Sequence, residues 1–175
     1  MRIRPANIAD IDRCELLDGT YVTNYVWQLD ESVTGDTVGI HLKRMRLPRQ
    51  AEIPYPREPK YLYEDWQRSE CFLVASELAT ILGYLDITVS RWQWAGHIEH
   101  LVVDMEHRRQ GIATRLLEAA EHWARGSGLT RLTVYMQTKN DPAYCLFTKL
   151  GYSFRGLIDH YYNNGDAAMF YSLDL

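Results

Sequence analysis

Basic and small residues stand together where a predicted strand runs into a predicted helix. The stretch reads Val103-Asp104-Met105-Glu106-His107-Arg108-Arg109-Gln110-Gly111-Ile112-Ala113-Thr114. The first turn of a helix offers unpaired N–H donors at the positive end of the helix dipole, and Gly111 lets a bulky anion approach the backbone. Arg108 and Arg109 add positive charge, and Thr114 adds a hydroxyl. This combination predicts a diphosphate site, and an ordinary strand-to-helix turn with solvated basic residues is the alternative.

The elements around this junction are those of a strand–helix–strand unit. One face of a helix predicted over 112–125 is apolar: Ile112, Leu116, Leu117, Ala120, Trp123 and Ala124. Gly126-Ser127-Gly128 ends this helix, and a strand with Leu132, Val134 and Met136 on one face follows. A strand over 97–103 would be its parallel partner, joined by a right-handed crossover. The predicted class is therefore α/β, a mixed sheet with helices on both faces.

The flanking regions predict further strands and two shorter helices. Asn7 is a predicted N-cap of a helix that ends at Gly19, and Pro142 lies in the first turn of a helix over about 141–150. Strands are predicted over 2–4, 36–47, 71–75, 81–90, 153–161 and 167–174. Prolines at 48, 54, 56 and 59 predict an irregular segment over 48–60, because proline lacks the backbone N–H that a central strand needs.

Composition predicts one domain spanning residues 1–175. The chain is 46% hydrophobic and 24% charged with a formal net charge of −4, which is ordinary for a globular protein and argues against nucleic acid as a partner. No stretch approaches the roughly 20 apolar residues of a membrane span. Three widely spaced cysteines, Cys14, Cys71 and Cys145, favour a reducing cytoplasm. Neither GxxxxGK[ST] nor GxGxxG occurs, so those two nucleotide sites are not expected.

Two motifs resemble a known family. Arg108-x-x-Gly111-x-Ala113, after the strand that ends Leu101-Val102-Val103, resembles the acetyl-CoA signature of the GNAT N-acetyltransferases. The run Asn140-Asp141-Pro142-Ala143-Tyr144-Cys145-Leu146-Phe147-Thr148-Lys149-Leu150-Gly151-Tyr152 resembles that family's second motif. The resemblance covers residues 71–175 well and 1–19 loosely, and it leaves 20–70 unexplained. The C-terminal segment is similar to those of ribosomal-protein alanine acetyltransferases and streptothricin acetyltransferases: Asp159-His160-Tyr161-Tyr162 followed by Asp166-Ala167-Ala168.

The resemblance implies the GNAT fold and acetyl-CoA as co-substrate, with no metal. In that fold a mostly antiparallel mixed sheet contains a parallel pair, here 97–103 and 131–137, whose strands splay apart. The pantetheine arm enters the gap and pairs with backbone groups of Leu101 and Val103, and the pyrophosphate lies on the amides of 109–114. The implied binding residues are Leu101, Val102, Val103, Arg108, Arg109, Gln110, Gly111, Ile112, Ala113, Thr114, Asn140, Ala143 and Phe147.

The same resemblance places the acetyl group near His97, Glu99 and His100. Alternation along a strand predicts residues 97 and 99 on one face and 100 on the other, which also argues against a zinc site. An amine must lose a proton to attack, and Glu99 or His97 is the candidate general base. The family's tyrosine acid is replaced by Phe147, so either Tyr144 or water would protonate the leaving thiolate. Tyr135 stands where the alanine acetyltransferases keep a glutamate.

The predicted function is transfer of acetyl from acetyl-CoA to a primary amine of a small molecule or peptide, directly within a ternary complex. Residues 20–70 are expected to shape the acceptor side. A non-catalytic acyl-CoA-binding module and an antibiotic acetyltransferase of the streptothricin type are the alternatives. A homodimer is left open, and neither nucleic acid nor a membrane is an expected partner.

Overall fold

A seven-stranded mixed sheet and a separate two-stranded hairpin organise the computed structural model, which describes all residues 1–175. The sheet has the order β1-β4-β5-β6-β7-β9-β8, and the hairpin pairs β2 with β3. The elements are β1 (Arg2–Pro5), α1 (Ile8–Glu15), β2 (Tyr21–Thr34), β3 (Thr37–Ile53), α2 (Leu62–Arg68), β4 (Cys71–Glu77), β5 (Thr80–Ser90), β6 (Ala95–Val103), α3 (Ile112–Gly126), β7 (Arg131–Gln137), α4 (Asp141–Lys149), β8 (Ser153–Ile158) and β9 (Ala168–Asp174). None of these helices combines the length and the apolar run that crossing a bilayer requires.

Each face of the sheet buries its own apolar cluster. On one face, α3 contributes the spaced residues Ile112, Leu116, Leu117, Ala120 and Ala124 to a cluster of 20 buried residues. On the other face, α1 and α2 cover a cluster of eight: Ile11, Cys14, Leu62, Phe72, Val74, Ile81, Tyr84 and Val102. The helix periodicity of 3.6 residues is what brings each apolar row onto the sheet. The predicted mixed sheet with helices on both faces is confirmed.

The parallel pair β6–β7 separates partway along its length. Pairing runs from Ala95 opposite Arg131 to Ile98 opposite Val134 and then stops, although both strands continue. Residues 99–103 of β6 therefore have no partner on the β7 side, and the predicted splay between these strands is confirmed. This gap opens at the end of β6 that leads into α3.

The Pro-rich segment is more regular than its composition predicts. β3 continues through Pro48 to Ile53, so the prediction of irregular backbone over 48–60 is wrong for its first six residues. Between the pairs Tyr25↔Arg46 and Thr23↔Ala51 the register shifts, and Pro48 falls in that bulge. A proline in a bulge removes no hydrogen bond from the ladder, which is why the strand tolerates it.

The hairpin is anchored to the second-motif helix. The Trp27 amide donates to the Thr138 carbonyl at 2.8 Å, and the Arg44 guanidinium makes two bonds to the Asp141 carboxylate at 2.7 and 2.8 Å. Arg44 also lies 4.0 Å above the ring of Tyr25. These contacts hold β2 and β3 beside α4, and they position the segment that follows β3 over the sheet.

Candidate functional site

The first turn of α3 presents backbone amides with no protein cap. Gly111 is the N-cap residue and has no side chain to bond them, and the first helical bond runs from the Arg115 amide to the Gly111 carbonyl. Gly111 adopts φ +82° and Arg109 φ +63°, left-handed conformations of the kind in which successive amides form an anion-binding concavity. A Cβ at position 111 would meet no atom within 4 Å, which means that the positive φ rather than crowding calls for glycine. This arrangement suits an anion such as a pyrophosphate.

The Arg108 guanidinium is not directed at this anion site. It donates to the carbonyls of Val103 at 3.0 Å, Thr20 at 2.6 Å and Asp18 at 2.9 Å. The sequence predicted that the positive charge of Arg108 would bind the cofactor. In the structure its hydrogen bonds link the loop before β2 to the end of β6. Arg109 and Gln110 are exposed and remain near the anion site.

Ile112 and Val102 cannot offer side chains to a ligand. Ile112 belongs to the large apolar cluster and Val102 to the small one, and each is only 3% exposed. Their contribution to binding is limited to the backbone. Ala113 and Thr114 are half-buried in the first turn of α3.

The split between β6 and β7 forms a pocket of about 80 Å³, which we call the gap pocket. Its walls come from β6, β7, α4 and two loops: Tyr55, Pro56, Arg57, His97, Ile98, Glu99, His100, Leu101, Val134, Tyr135, Met136, Gln137, Asn140, Ala143, Phe147 and Tyr162. Asn140 accepts a bond from the Ala143 amide at 3.1 Å, and its NH₂ group has no protein partner. The structure thus brings Leu101, Asn140, Ala143 and Phe147 together as the sequence predicted.

Glu99 is an extra residue in β6. Asp86 pairs with His100 and Ile87 pairs with Ile98, so Glu99 has no partner on β5 and forms a β-bulge. The bulge cancels the expected alternation between residues 99 and 100. Glu99 and His100 consequently lie on the same face of the sheet, and the prediction that they point to opposite faces is wrong.

The Glu99 carboxylate is held from two sides. Its Oε2 accepts from Arg57 at 2.5 Å and its Oε1 accepts from the Thr88 hydroxyl at 2.8 Å. His97, on the same strand, has its Nδ1 2.5 Å from the Thr133 hydroxyl. Both candidate bases therefore line the gap pocket with their orientation fixed. No group of three or more His, Cys, Asp or Glu side chains has an arrangement that could hold a metal ion.

His100 leads from the gap pocket into the interior. Its Nδ1 lies 2.9 Å from the Tyr55 hydroxyl and its Nε2 lies 3.0 Å from an oxygen of Asp65. Opposite it, Asp86 is fully buried and neither carboxylate oxygen has a hydrogen-bond partner. Burial raises the pKa of Asp86 to about 6. A strongly shifted, unpartnered carboxylate beside a pocket is typical of a functional site.

Tyr144 is separated from the other candidate catalytic residues. Its ring packs edge-on against Trp27 at 4.8 Å and against Tyr171 at 6.1 Å, and it is not part of the gap-pocket wall. The structure therefore does not support Tyr144 as the acid that replaces the family tyrosine. Phe147 occupies the expected place and is 2% exposed.

Four residues of this site were not among those predicted from the sequence: Tyr55, Arg57, Asp65 and Asp86. The first two follow β3 in the Pro-rich segment, Asp65 is in α2, and Asp86 lies within an apolar strand. An aspartate in the middle of the otherwise apolar run of β5 was the one local anomaly that could have been noticed.

Comparisons with known proteins agree with this geometry. Residues 42–152 match the model of the acetyltransferase (GNAT) family. A streptothricin acetyltransferase of Streptomyces lavendulae is 27% identical over 179 residues, with 97% of this chain and 93% of the relative covered.

Two solved structures share the fold over almost the whole chain. A nourseothricin acetyltransferase has a TM-score of 0.83 at 24% identity, covering 99% of this chain and 97% of its own. A Bacillus anthracis str. Ames protein assigned to the streptothricin acetyltransferases, solved in complex with acetyl coenzyme A, has a TM-score of 0.78 at 20% identity and the same coverage. Since the family model spans more than half of the sequence, this chain belongs to the acetyltransferase (GNAT) family.

Proposed function

We propose that the protein transfers the acetyl group of acetyl-CoA to a primary amine of a small molecule or peptide, directly and with both substrates bound. The observation that carries the proposal is the split between β6 and β7, which opens beside the uncapped amides at the start of α3. An extended thioester arm needs backbone groups to bond along its length, and a diphosphate needs amide donors. These two features stand next to each other in this fold.

The residues present fit acetyl-CoA, which would supply an activated acyl thioester. The backbone groups of Leu101 and the Val103 amide have no β7 partner, the Val103 carbonyl already accepts from Arg108, and the NH₂ group of Asn140 is free to donate. Ala143 and Phe147 provide an apolar wall for the arm. The amides of 109–114 receive the pyrophosphate, with Arg109, Gln110 and the Thr114 hydroxyl as side-chain donors around it.

Glu99 is the proposed general base, with His97 as the alternative. A primary ammonium group has a pKa near 10.4, so nearly all of the acceptor arrives protonated at pH 7 and must lose that proton before it can attack. The Glu99 carboxylate lies in the gap pocket and is oriented by Arg57 and Thr88.

The first acceptor to test is an antibiotic of the streptothricin type. The similarity to the Streptomyces lavendulae streptothricin acetyltransferase extends over 97% of this chain, including the hairpin region. Residues that follow this hairpin, Tyr55 and Arg57, line the gap pocket. Tyr135 in place of the glutamate of the alanine acetyltransferases favours an antibiotic over a ribosomal protein.

A thiol-release assay over a panel of amines tests the proposal. The panel contains streptothricin, simple polyamines and peptides with a free N-terminal alanine, each with acetyl-CoA and purified protein. We expect CoA release that depends on both substrates, with streptothricin the best acceptor. Tight binding of acetyl-CoA without CoA release on any amine would instead support a non-catalytic acyl-CoA-binding module, the alternative that the missing tyrosine at Phe147 favours.

A further inference from the structure

A chain of three hydrogen-bonded side chains runs from the gap pocket toward the surface at α2. Tyr55 is part of the pocket wall, His100 is buried at 3% exposure, and Asp65 is half-exposed. The hydroxyl of Tyr55 is 2.9 Å from His100 Nδ1, and His100 Nε2 is 3.0 Å from Asp65. The three groups come from the loop after β3, from β6 and from α2, so the fold assembles them.

The direction of these hydrogen bonds follows from the partners. The contact with His100 lowers the pKa of Asp65, so this carboxylate is ionised and can only accept. His100 Nε2 must therefore carry a proton, and in the tautomer protonated only there Nδ1 is an acceptor. Burial raises the pKa of Tyr55, so its hydroxyl stays protonated and donates to Nδ1. Tyr55 is also part of the gap-pocket wall, so the residue that bonds His100 borders the pocket.

Asp86 completes the surroundings of His100. It lies across from His100 in the β5–β6 register, is fully buried, and leaves both oxygens without a partner. An unpaired buried carboxylate is unfavourable while His100 is neutral, and it becomes a favourable neighbour when His100 carries a positive charge. Asp86 is thus placed to favour a positive charge that forms on the ring of His100 during a reaction.

The proton balance of the reaction requires a second acceptor besides Glu99. An ammonium group that becomes an acetamide loses two protons: one bond forms between nitrogen and the acetyl carbon, and the bond between carbon and sulfur breaks. One proton leaves to solvent, for which Glu99 is the proposed route. The other must reach the departing thiolate, and Phe147 has no proton to relay.

We propose that Tyr55 is a catalytic residue that passes this second proton from the acceptor nitrogen to His100 and back to the thiolate, with Asp65 and Asp86 as positioning residues for the imidazolium. The inference rests on the proposed function. The nitrogen gives its proton to the Tyr55 oxygen while the Tyr55 hydroxyl proton moves to His100 Nδ1. The reverse movement places a proton on sulfur, so Tyr55 and His100 end as they began.

The Tyr55 ring is held in place by the loop before β2. A Cβ at Gly19 would lie 2.6 Å from the Tyr55 ring, so the backbone there packs directly on the ring. Arg108 binds the carbonyls on either side, those of Asp18 and Thr20. The arginine of the first motif therefore links the cofactor loop to the position of Tyr55.

Four titratable side chains surround His100, and three of them take part in the relay. Tyr55 and Asp65 bond to it, and Asp86 faces it from β5. Tyr84, also on β5, packs its ring at 6.0 Å from the imidazole and makes no hydrogen bond to it. The Glu99–Arg57 ion pair lies on the pocket side. Tyr84→Phe is therefore a matched control, because it removes a neighbouring hydroxyl outside the relay.

The test compares wild type, Tyr55→Phe and Tyr84→Phe by kinetics from pH 6 to 9 and by calorimetry with acetyl-CoA. We expect Tyr55→Phe to lower kcat at least tenfold at pH 7 with an unchanged Kd for acetyl-CoA, and the deficit to narrow toward pH 9 as hydroxide replaces the relay. Tyr84→Phe should stay within twofold of wild type. In ¹⁵N-histidine NMR spectra, His100 of the wild type should carry its proton on Nε2, a readout that is independent of turnover.

Two results would overturn the relay. One is a Tyr55→Phe variant within twofold of wild type at every pH on an amine that the wild type acetylates. The other is a His100 protonated on Nδ1, because Tyr55 could then not donate to it. A wild type that acetylates no amine removes the proposed function itself, which is a different outcome from an unaffected Tyr55→Phe variant.

Discussion

Asp86 lies directly opposite His100 in the register of β5 and β6, and both side chains are buried, at 0% and 3% exposure. The bulge at Glu99 creates this pairing, because it shifts the strand by one residue and turns Glu99 and His100 to the same face. The bulge thus places the Glu99 carboxylate, in the gap pocket, and the buried imidazole of His100 on neighbouring positions of one face. The electrostatics of the site follow from that one backbone feature.

Asp86→Asn should stabilise the protein more at neutral pH than in acid. The pKa of Asp86 is about 6 in the folded protein against 3.8 ordinarily, so its ionisation opposes folding. Below about pH 4 the carboxyl is protonated in the fold and the effect is absent. Stability is lost as pH rises to about 6, where the loss levels off at about 3 kcal/mol.

Chemical denaturation of wild type and Asp86→Asn at pH 4, 5, 6 and 7 measures this effect. The difference in unfolding free energy between the two proteins should grow in favour of the variant across that range. The cost of burying the asparagine amide does not depend on pH, so it shifts all four differences equally. A difference that stays constant with pH would mean that the pKa of Asp86 is the same in the folded and the unfolded protein, which contradicts the raised value.

Gly111→Ala should weaken acetyl-CoA binding. The residue adopts φ +82°, a conformation that costs an alanine roughly 1 kcal/mol, and relaxing it would turn the amides of the loop away from the anion. We expect a Kd at least fivefold higher by calorimetry. Gly128→Ala is the control. Gly128 has φ +72° at the opposite end of α3, so an alanine there carries the same backbone strain but lies away from the anion site. Equal loss of affinity in both variants would contradict the assignment of the anion site.

Glu99→Gln should lower kcat at least tenfold, which corresponds to about 1.4 kcal/mol of barrier, with little change in acetyl-CoA affinity. The variant keeps the size of the side chain and removes the basic oxygen. Glu70→Gln provides the control, since the Glu70 carboxylate bonds the Val89 amide on β5 outside the gap pocket. The measurement is kcat at steady state with the best amine. If Glu99→Gln and Glu70→Gln have the same kcat, Glu99 is excluded as the general base.

Arg44→Ala should destabilise the fold by about 1–2 kcal/mol and loosen the hairpin. It removes two charge-assisted hydrogen bonds to Asp141, whose side chain is only 10% exposed, together with the contact on Tyr25. Arg46→Ala, two residues away on β3, removes an exposed arginine that has no ion pair. Urea unfolding that shows equal stability for the two variants would argue against this anchor.

The sequence was sufficient to predict the helix α3, the splayed strand pair and the loop between them. The helix and the loop depend on local signals, an apolar row at helical spacing and glycine at the turn, whereas the splay between the strands was implied by the resemblance to the GNAT family. It was not sufficient for the hairpin, because Pro48 sits in a bulge where a proline is harmless. The bulge at Glu99 depends on how β5 and β6 align, and no local pattern specifies that register.

The interior part of the site could not be predicted for a related reason. Tyr55, Asp65 and Asp86 are distant from one another in the chain and meet only because α2 and the loop after β3 cover the same face of the sheet. Arg108 shows the converse case. Its type and spacing match a phosphate-binding motif, yet its side chain is used on three carbonyls of the protein itself.

Hydrogen–deuterium exchange with and without acetyl-CoA tests the central claim most directly. If the thioester arm pairs with the unpaired edge of β6 and the pyrophosphate rests on the start of α3, the amides of residues 99–103 and 109–114 will exchange more slowly in the complex. Strand β4, paired on both sides by β1 and β5, will be unchanged. Saturating acetyl-CoA that protects neither segment would contradict the account.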